Sequence, residues 1–240
     1  MEKEEWKNYF LKQCQELKIE MDEKKQEQFY NYMELLIQWN KNINLTAITE
    51  PEEVLQKHFI DSLTILPYID EKATIIDVGT GAGFPGIPVK IAKESTKVIL
   101  LDALNKRLNF LQEVINTLQL SNIETIHVRA EEAGKNKTLR ENFDIATSRA
   151  VAPLNILVEY LLPLVKLGGK CICMKGSNIE EEIGNSKKAI EILGGKIEKI
   201  SEFNLPNSDI KRNIIVIKKV SKTPEKYPRK PGIPSKEPIQ

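Results

Sequence analysis

The stretch Asp77-Val-Gly-Thr-Gly-Ala-Gly-Phe-Pro-Gly-Ile-Pro88 decides how the rest of this 240-residue sequence is read. It follows a short apolar run, "TIIDV" (74–78), and leads into a segment with helical spacing, so it reads as a strand-to-helix turn. Backbone N–H groups in such a glycine-rich turn approach an anionic ligand, and the helix start favours negative charge. Two glycine registers fit the same residues. Gly81, Gly83 and Gly86 match the dinucleotide pattern G-x-G-x-x-G, whereas Asp77, Gly79, Gly81 and Gly83 match an acid followed by G-x-G-x-G.

Three features favour the second register. Pro85 and Pro88 suit the first turn of a helix, where the N–H they lack has no partner anyway; the helix then starts near Phe84, with Gly86 inside it. Asp77 ends the strand, where an acid is idle beside a pyrophosphate but suits a ligand carrying an ammonium group. Asp102 ends the next apolar run and is placed to accept both ribose hydroxyls of a nucleoside. Acid, three glycines and second acid together match an S-adenosylmethionine site of a class I methyltransferase. The rival is a nicotinamide-dependent oxidoreductase using Gly81–Gly86, a reading that gives Asp77 no task.

Outward from the loop, short apolar runs alternate with helical patterns. Strands are expected at 74–78, 97–102, 123–128, 143–147, 170–175, 195–203 and 213–219, with helices at about 85–94, 104–119, 153–166 and 177–193. Such alternation implies βαβ units and a seven-stranded, mostly parallel α/β sheet covered on both faces. No helix separates the last two strands, and the turn-rich "NLPNSD" (204–209) makes the seventh antiparallel. Three helical patterns precede the sheet, the third opening on a capping box, Thr49-Glu-Pro-Glu52, and running to about Leu66. The chain thus divides into a helical subdomain (1–70), a catalytic domain (71–220) and a proline-rich basic tail (221–240), expected to be extended and partly mobile.

Net charge is only +1, but it is unevenly spread. Residues 1–70 hold 8 Lys against 14 Asp or Glu, and residues 196–240 hold 11 Lys or Arg against 5 acids. A basic end on a neutral protein points to a polyanionic partner. Cys14, Cys171 and Cys173 lack metal-ligand spacing and the only histidines are His58 and His127, so no metal is expected. No apolar run reaches the ~20 residues that span a bilayer. A cytoplasmic, monomeric protein away from membranes is the expectation.

"WNKNINLT" (39–46), "HFIDSL" (58–63), "DVGTGAGFPGIP" (77–88), "RAEE" (129–132), "SRAVAPL" (148–154) and "MKG" (174–176) together make the sequence resemble the bacterial glucose-inhibited division protein B (RsmG) family over nearly its whole length. That family methylates N7 of a guanosine in 16S ribosomal RNA of the small ribosomal subunit. The resemblance implies S-adenosyl-L-methionine as cofactor, with Gly79 and Phe84 lining it, Asp102 on its ribose and Ala130-Glu131 beside its adenine. Ala103 and Leu104 would follow the ribose acid, and Ala103 stands where many relatives carry Ser. Arg149 would also reach the cofactor site.

Where enzymes acting on exocyclic amines carry Asn or Asp before Pro-Pro, this sequence reads Ser148-Arg149-Ala150-Val151. Guanine N7 already presents a lone pair, so no general base is expected; Arg149 is the candidate positioning residue, on the cofactor carboxylate or on guanine O6. Phosphate and base contacts are expected from Ser148, Lys170 or Lys175, Arg212, Lys226, Arg229 and Lys230, with Tyr227 stacking on a base. His58 and Asp61, one turn apart, are expected to serve structure, either pairing locally or docking the helices against the cofactor site. A non-enzymatic RNA-binding assembly factor retaining the fold remains the second alternative.

Overall fold

The computed structural model describes residues 1–239. Helices α1 (Lys3–Glu16) and α2 (Glu23–Asn40) come first; Asp22 caps α2 by accepting the Lys25 N–H at 2.8 Å. A third helix begins at α3 (Pro51–Val54), widens into a π-helical turn over Leu55–Ile60, and ends as α4 (Asp61–Leu63). The expected capping box does not form. The helix starts one residue later, with Glu50 as an N-cap that makes no side-chain bond and Pro51 at the first position, so Thr49 falls outside the cap.

The seven expected strands all appear: β1 (Thr74–Val78), β2 (Lys97–Asp102), β3 (Ile123–His127), β4 (Phe143–Arg149), β5 (Val165–Lys175), β6 (Gly195–Asn204) and β7 (Lys211–Lys219). Between and after them lie α5 (Gly86–Ala92), α6 (Asn105–Thr117), α7 (Ala130–Ala133), α8 (Leu154–Leu161), α9 (Glu180–Ile192) and α10 (Ile233–Lys236). Spatial order is β3-β2-β1-β4-β5-β7-β6, with β7 antiparallel to both neighbours. Winding reverses between β1 and β4, where an open α/β sheet leaves a crevice at the carboxyl ends of its strands.

The period of two along each buried strand splits the interior into two clusters. Ile75, Val98, Leu100, Ile145, Ile172 and Val216 face the layer of α1, α2, α5 and α6. Ile76, Ile99, Leu101, Ala146, Cys171 and Ile217 face α8 and α9. The helices of residues 1–70 share the first cluster with the sheet. A run of ring contacts, Trp6–Phe10 (5.3 Å), Phe10–Phe29 (4.7 Å), Phe29–Phe59 (5.2 Å), Tyr32–Phe59 (5.2 Å) and Tyr32–Phe84 (5.5 Å), carries that cluster up to the glycine loop.

The basic tail differs from expectation: it is a strap packed on α7 and α8, not a free arm. Arg140 donates to the Thr223 and Tyr227 carbonyls at 2.7 and 2.8 Å, and Arg229 meets the fully buried Glu159 at 2.7 Å. Tyr227 and Ile239 enter the second cluster. Prolines exclude regular structure but not burial, and carbonyls freed from a ladder still need donors, which Arg140 supplies.

Gly83 shows how tightly the two layers meet. Its φ is +98°, and an added Cβ would lie 2.4 Å from Tyr32 Oη and 2.7 Å from Ile87 Cδ1. Gly83→Ala combines backbone strain with overpacking, each of order 1–3 kcal/mol. It should therefore lower unfolding free energy by about 2–4 kcal/mol in urea titrations; a loss under ~0.5 kcal/mol would mean the loop is not packed as described.

Candidate functional site

Two cavities open side by side at the carboxyl ends of the strands, and Ala150 belongs to both. Ala150 follows β4 with φ +57°, a left-handed conformation uncommon for alanine, so the chain turns sharply where the two cavities meet.

The first cavity, about 520 Å³, is walled by Gly79 and Gly81 of the loop, Asp102-Ala103-Leu104 after β2, Ala130-Glu131 after β3, and Val151. Gly79 (φ +69°) has no room for a side chain, since a Cβ would meet Val151 Cγ2 at 2.7 Å. A Cβ on Gly81 would meet nothing nearer than 4.0 Å and would occupy the cavity itself. Asp102, 2 % exposed, accepts the Gly81 N–H and the Leu104 N–H, each at 2.9 Å, and pairs with Arg107 at 3.2 Å. Glu131 accepts the Gly232 N–H at 3.0 Å. Bare glycine backbone, two acids at the ends of adjacent strands and the apolar Leu104, Val128 and Val151 fit an aminopurine nucleoside with a small charged group. Seven of the expected cofactor residues therefore meet here: Gly79, Gly81, Asp102, Ala103, Leu104, Ala130 and Glu131.

Four do not. Asp77 is fully buried and absent from the cavity wall; its Oδ2 accepts Thr80 Oγ1–H at 2.7 Å and the Gly86 N–H at 2.9 Å. It braces the loop and the start of α5 from beneath, while its other oxygen, Oδ1, is buried with no partner. Gly86 is accordingly more than a mimic of the third dinucleotide glycine: a Cβ there would lie 2.4 Å from Leu100 Cδ2. The helix starts at Gly86 behind Pro85, slightly later than expected. Gly83 faces Tyr32, as above, and Phe84 is a core residue stacked between Tyr32 and His58.

Arg149 lies in the second cavity, about 430 Å³, lined also by Lys57, His58, Asp61, Met174, Lys175 and Arg212. Its guanidinium covers the Phe84 ring at 4.8 Å. Nη1 donates to Asp61 Oδ2 at 3.1 Å and to the carbonyls of Lys57 and His58 at 3.0 and 3.3 Å; Nη2 donates to His58 Nδ1 at 3.1 Å. A guanidinium only donates, so Nδ1 accepts and the ring proton sits on Nε2, bonded to Thr46 Oγ1 at 2.9 Å. Burial first, and the Arg149 charge second, push His58 down to about 3, so the imidazole is neutral at pH 7. Asp61 also accepts Arg212 Nε at 3.0 Å. His58 and Asp61 thus dock the helical layer onto β4 through Arg149, the second of the two structural roles the sequence allowed.

The expected RNA contacts divide. Lys175 and Arg212 line the second cavity, although Lys175 also pairs with Glu182 at 2.6 Å. Lys226 and Lys230 are exposed. Ser148 is fully buried and donates to the Val78 carbonyl at 2.8 Å; Tyr227 is a core residue; Arg229 is committed to Glu159. These three are unavailable to a nucleic acid in this arrangement. Lys170, midway along β5, pairs with Asp70 at 3.2 Å. Arg107, one helical turn and a cap beyond Asp102, was readable as its partner; nothing in the sequence signalled that Gly232 and Ser235 of the strap would line the first cavity.

A family model described as rRNA small subunit methyltransferase G matches residues 25–215. The chain is 53 % identical over 229 residues to ribosomal RNA small subunit methyltransferase G of Alkaliphilus metalliredigens, covering 95 % of this chain and 96 % of that protein. It is 58 % identical over 222 residues to the protein of the same name from Acetivibrio thermocellus, covering 92 % and 91 %. Among solved structures, a SAM-dependent methyltransferase from Aquifex aeolicus superimposes with a TM-score of 0.53 at 18 % identity, over 72 % of this chain and 96 % of that one. M. jannaschii TYW2 in complex with AdoMet gives 0.54 at 15 %, over 71 % and 77 %. The likeness of these two is one of fold.

The buried Asp77 makes a pH prediction. Burial, the largest influence, holds its carboxyl up at about 6 against an ordinary 3.8, despite the Thr80 and Gly86 bonds that pull it down. A raised carboxyl contributes stability that is complete below the unfolded value and lost as pH rises through the folded one. Asp77→Asn has no such titration. Its stability relative to the parent protein should therefore climb by about 3 kcal/mol between pH 4 and 7, at ~1.4 kcal/mol per pKa unit. Urea titrations across that range measure the difference, and a flat difference would contradict it.

Proposed function

The chain belongs to the rRNA small subunit methyltransferase G family, and from that premise we propose how its two cavities divide the work of methylating N7 of a guanosine in 16S rRNA with S-adenosyl-L-methionine. The observation that carries this reading is their junction: a glycine-lined cavity with Asp102 and Glu131 in its wall and a cavity rich in cations share Ala150. The first suits the cofactor. Asp102 takes the ribose hydroxyls, Glu131 the adenine side, and Gly79 and Gly81 leave backbone open to the amino-acid end. With Asp77 out of reach, the ammonium is left to loop carbonyls. When bound, the cofactor supplies a methyl group on a sulfonium, which needs only a nucleophile in line with the carbon–sulfur bond.

The second cavity suits the target nucleotide. Lys57, Arg149, Lys175 and Arg212 offer cationic groups beside Asp61, and Ile48 and Met174 give it apolar sides. A guanosine swung out of its stack into this space meets hydrogen-bond donors for O6 and for phosphate. Neither of its candidate bases is free: His58 Nδ1 is occupied by Arg149, and Asp61 is held by Arg149 and Arg212. That favours a nucleophile with an available lone pair and no proton to lose, which is N7. The chain's residues then contribute placement rather than proton transfer.

Several observations separate this from the alternatives. A nicotinamide reading used Gly83 and Gly86, and both are packed against side chains of the core. An assembly factor without activity has no need of the acid–glycine cavity.

Two experiments test the reading. Small ribosomal subunits lacking the modification, incubated with methyl-labelled cofactor, should take up label at one guanosine that becomes cleavable by borohydride and aniline, the signature of N7 methylation. Label that resists this cleavage refutes the N7 assignment, and no label refutes the enzyme. In calorimetry, Asp102→Ala should weaken cofactor binding by about 10- to 100-fold, the worth of hydrogen bonds to a charged acceptor, with the melting profile preserved. Equal affinity would remove Asp102 from the ribose.

A further inference from the structure

The C-terminal strap lies beyond the stretch that the family model matches, residues 25–215. Yet Gly232 and Ser235 stand in the wall of the first cavity beside Glu131 and Tyr160. Each strap residue bonds to its neighbour in that wall. The Gly232 N–H donates to Glu131 Oε1 at 3.0 Å, and the Ser235 and Tyr160 hydroxyls lie 3.1 Å apart. Gly232 has φ +83°, a conformation glycine takes at no steric cost, and this aims its N–H at the carboxylate.

Anchors elsewhere hold the strap without help from a ligand. Lys219 and Glu141 grip Thr223, Arg140 gathers the next carbonyls, and Arg229 lies on Glu159. Pro228 packs so closely on α7 that a Cβ on Gly134 would meet its Cγ at 2.7 Å. The strap is therefore a fixed wall, and what it fixes is an acid. Glu131 is only 7 % exposed, and its second oxygen, Oε2, has no partner among the described residues. That oxygen is open to the cavity rather than sealed off, so a donor on a ligand can reach it.

We propose that the strap is a specificity element of the cofactor site: through Gly232 it holds Glu131 so that Oε2 is reserved for the amino group of the adenine. This rests on the reading of the first cavity as the cofactor site. The ligand class it selects is a purine nucleoside bearing an exocyclic N–H donor, against one bearing a carbonyl there. Glu131 meets the ligand, and Gly232 is a positioning residue acting through it.

Calorimetry with S-adenosylhomocysteine and S-inosylhomocysteine, which differ in that amino group, tests this. The full chain should prefer the adenosine compound by at least about tenfold, the worth of one hydrogen bond to a charged acceptor. A chain ending at Lys230 keeps Arg140, Tyr227 and Arg229 in place but loses Gly232 and Ser235. Gly232→Val, whose branched side chain has room but disfavours the φ of +83° and so turns the N–H away from Glu131, gives the same readout if the shortened chain does not fold. Either change should weaken S-adenosylhomocysteine by about tenfold, leave S-inosylhomocysteine nearly unaffected, and so erase the preference. Glu131→Ala should do likewise, and combining it with either strap change should add nothing further. Unaltered preference after both strap changes, or losses that multiply with Glu131→Ala, would overturn the proposal. Failure of the full chain to bind either compound would instead overturn the reading of the cavity.

Discussion

One guanidinium holds the two halves of the active face together. Arg149 leaves the end of β4 and spends its donors on the π-helical turn of the third helix: two carbonyls, the Asp61 carboxylate and the His58 ring nitrogen. Burying a guanidinium is costly, and here burial is the largest influence on it, lowering its pKa against the pull of Asp61. Hydrogen bonds on nearly every side and a Phe84 face beneath offset that cost. What the arrangement contributes is geometry more than stability. Together with the Asp61–Arg212 bond and the bonds of Gln28, Tyr32 and Gln56 to backbone carbonyls beyond the helices, it pins the helical layer in one register against the sheet, which gives the second cavity a fixed boundary.

The glycine loop shows the same economy at backbone level, with each glycine answering a different neighbour. Gly79 yields to Val151, Gly83 to Tyr32 and Gly86 to Leu100, while Gly81 alone faces open cavity. Asp77 ties the set together from below through Thr80 and Gly86. The loop can thus present bare backbone to a ligand because the underside of every turn is packed. A cradle of this kind is rigid before anything binds, which spares the ligand the cost of ordering it.

How much of this was legible in the sequence follows from the range of each interaction. Strand positions, the mostly parallel sheet, the antiparallel β7 and the acids at the strand ends rest on local periodicity and turn chemistry, and all were readable, whereas the order of the strands was not. Asp102 and Glu131 were found because a strand's carboxyl end faces the crevice whatever the rest of the chain does. Asp77 was misread, although the alternation along β1 carried the correction. Ile76 and Val78 face α8, so Ile75 and Asp77 must face the layer holding α5. An acid on that side lies under the loop, not in front of it. Arg149 was placed at the right end of the right strand, but its partners lie some 90 positions away, and no local pattern names them.

The tail marks where composition misleads. Five prolines and several cations suggested a mobile arm for a polyanion, yet the same residues build a fixed strap in which Arg229 is taken by Glu159 and Tyr227 is buried, while Lys222, Lys226, Lys230 and Lys236 stay on its surface. A charge seen in sequence is available to a partner only if the fold leaves it uncompensated. The cavity of Lys57, Arg149, Lys175 and Arg212 adds a second basic surface, in which Glu53 and Glu182 pair with the lysines and Asp61 is shared by the two arginines. His58 completes the logic by staying neutral. A second positive charge against Arg149 would repel it from the turn that positions it, whereas an unprotonated ring accepts its hydrogen bond and leaves the net positive charge facing the nucleotide.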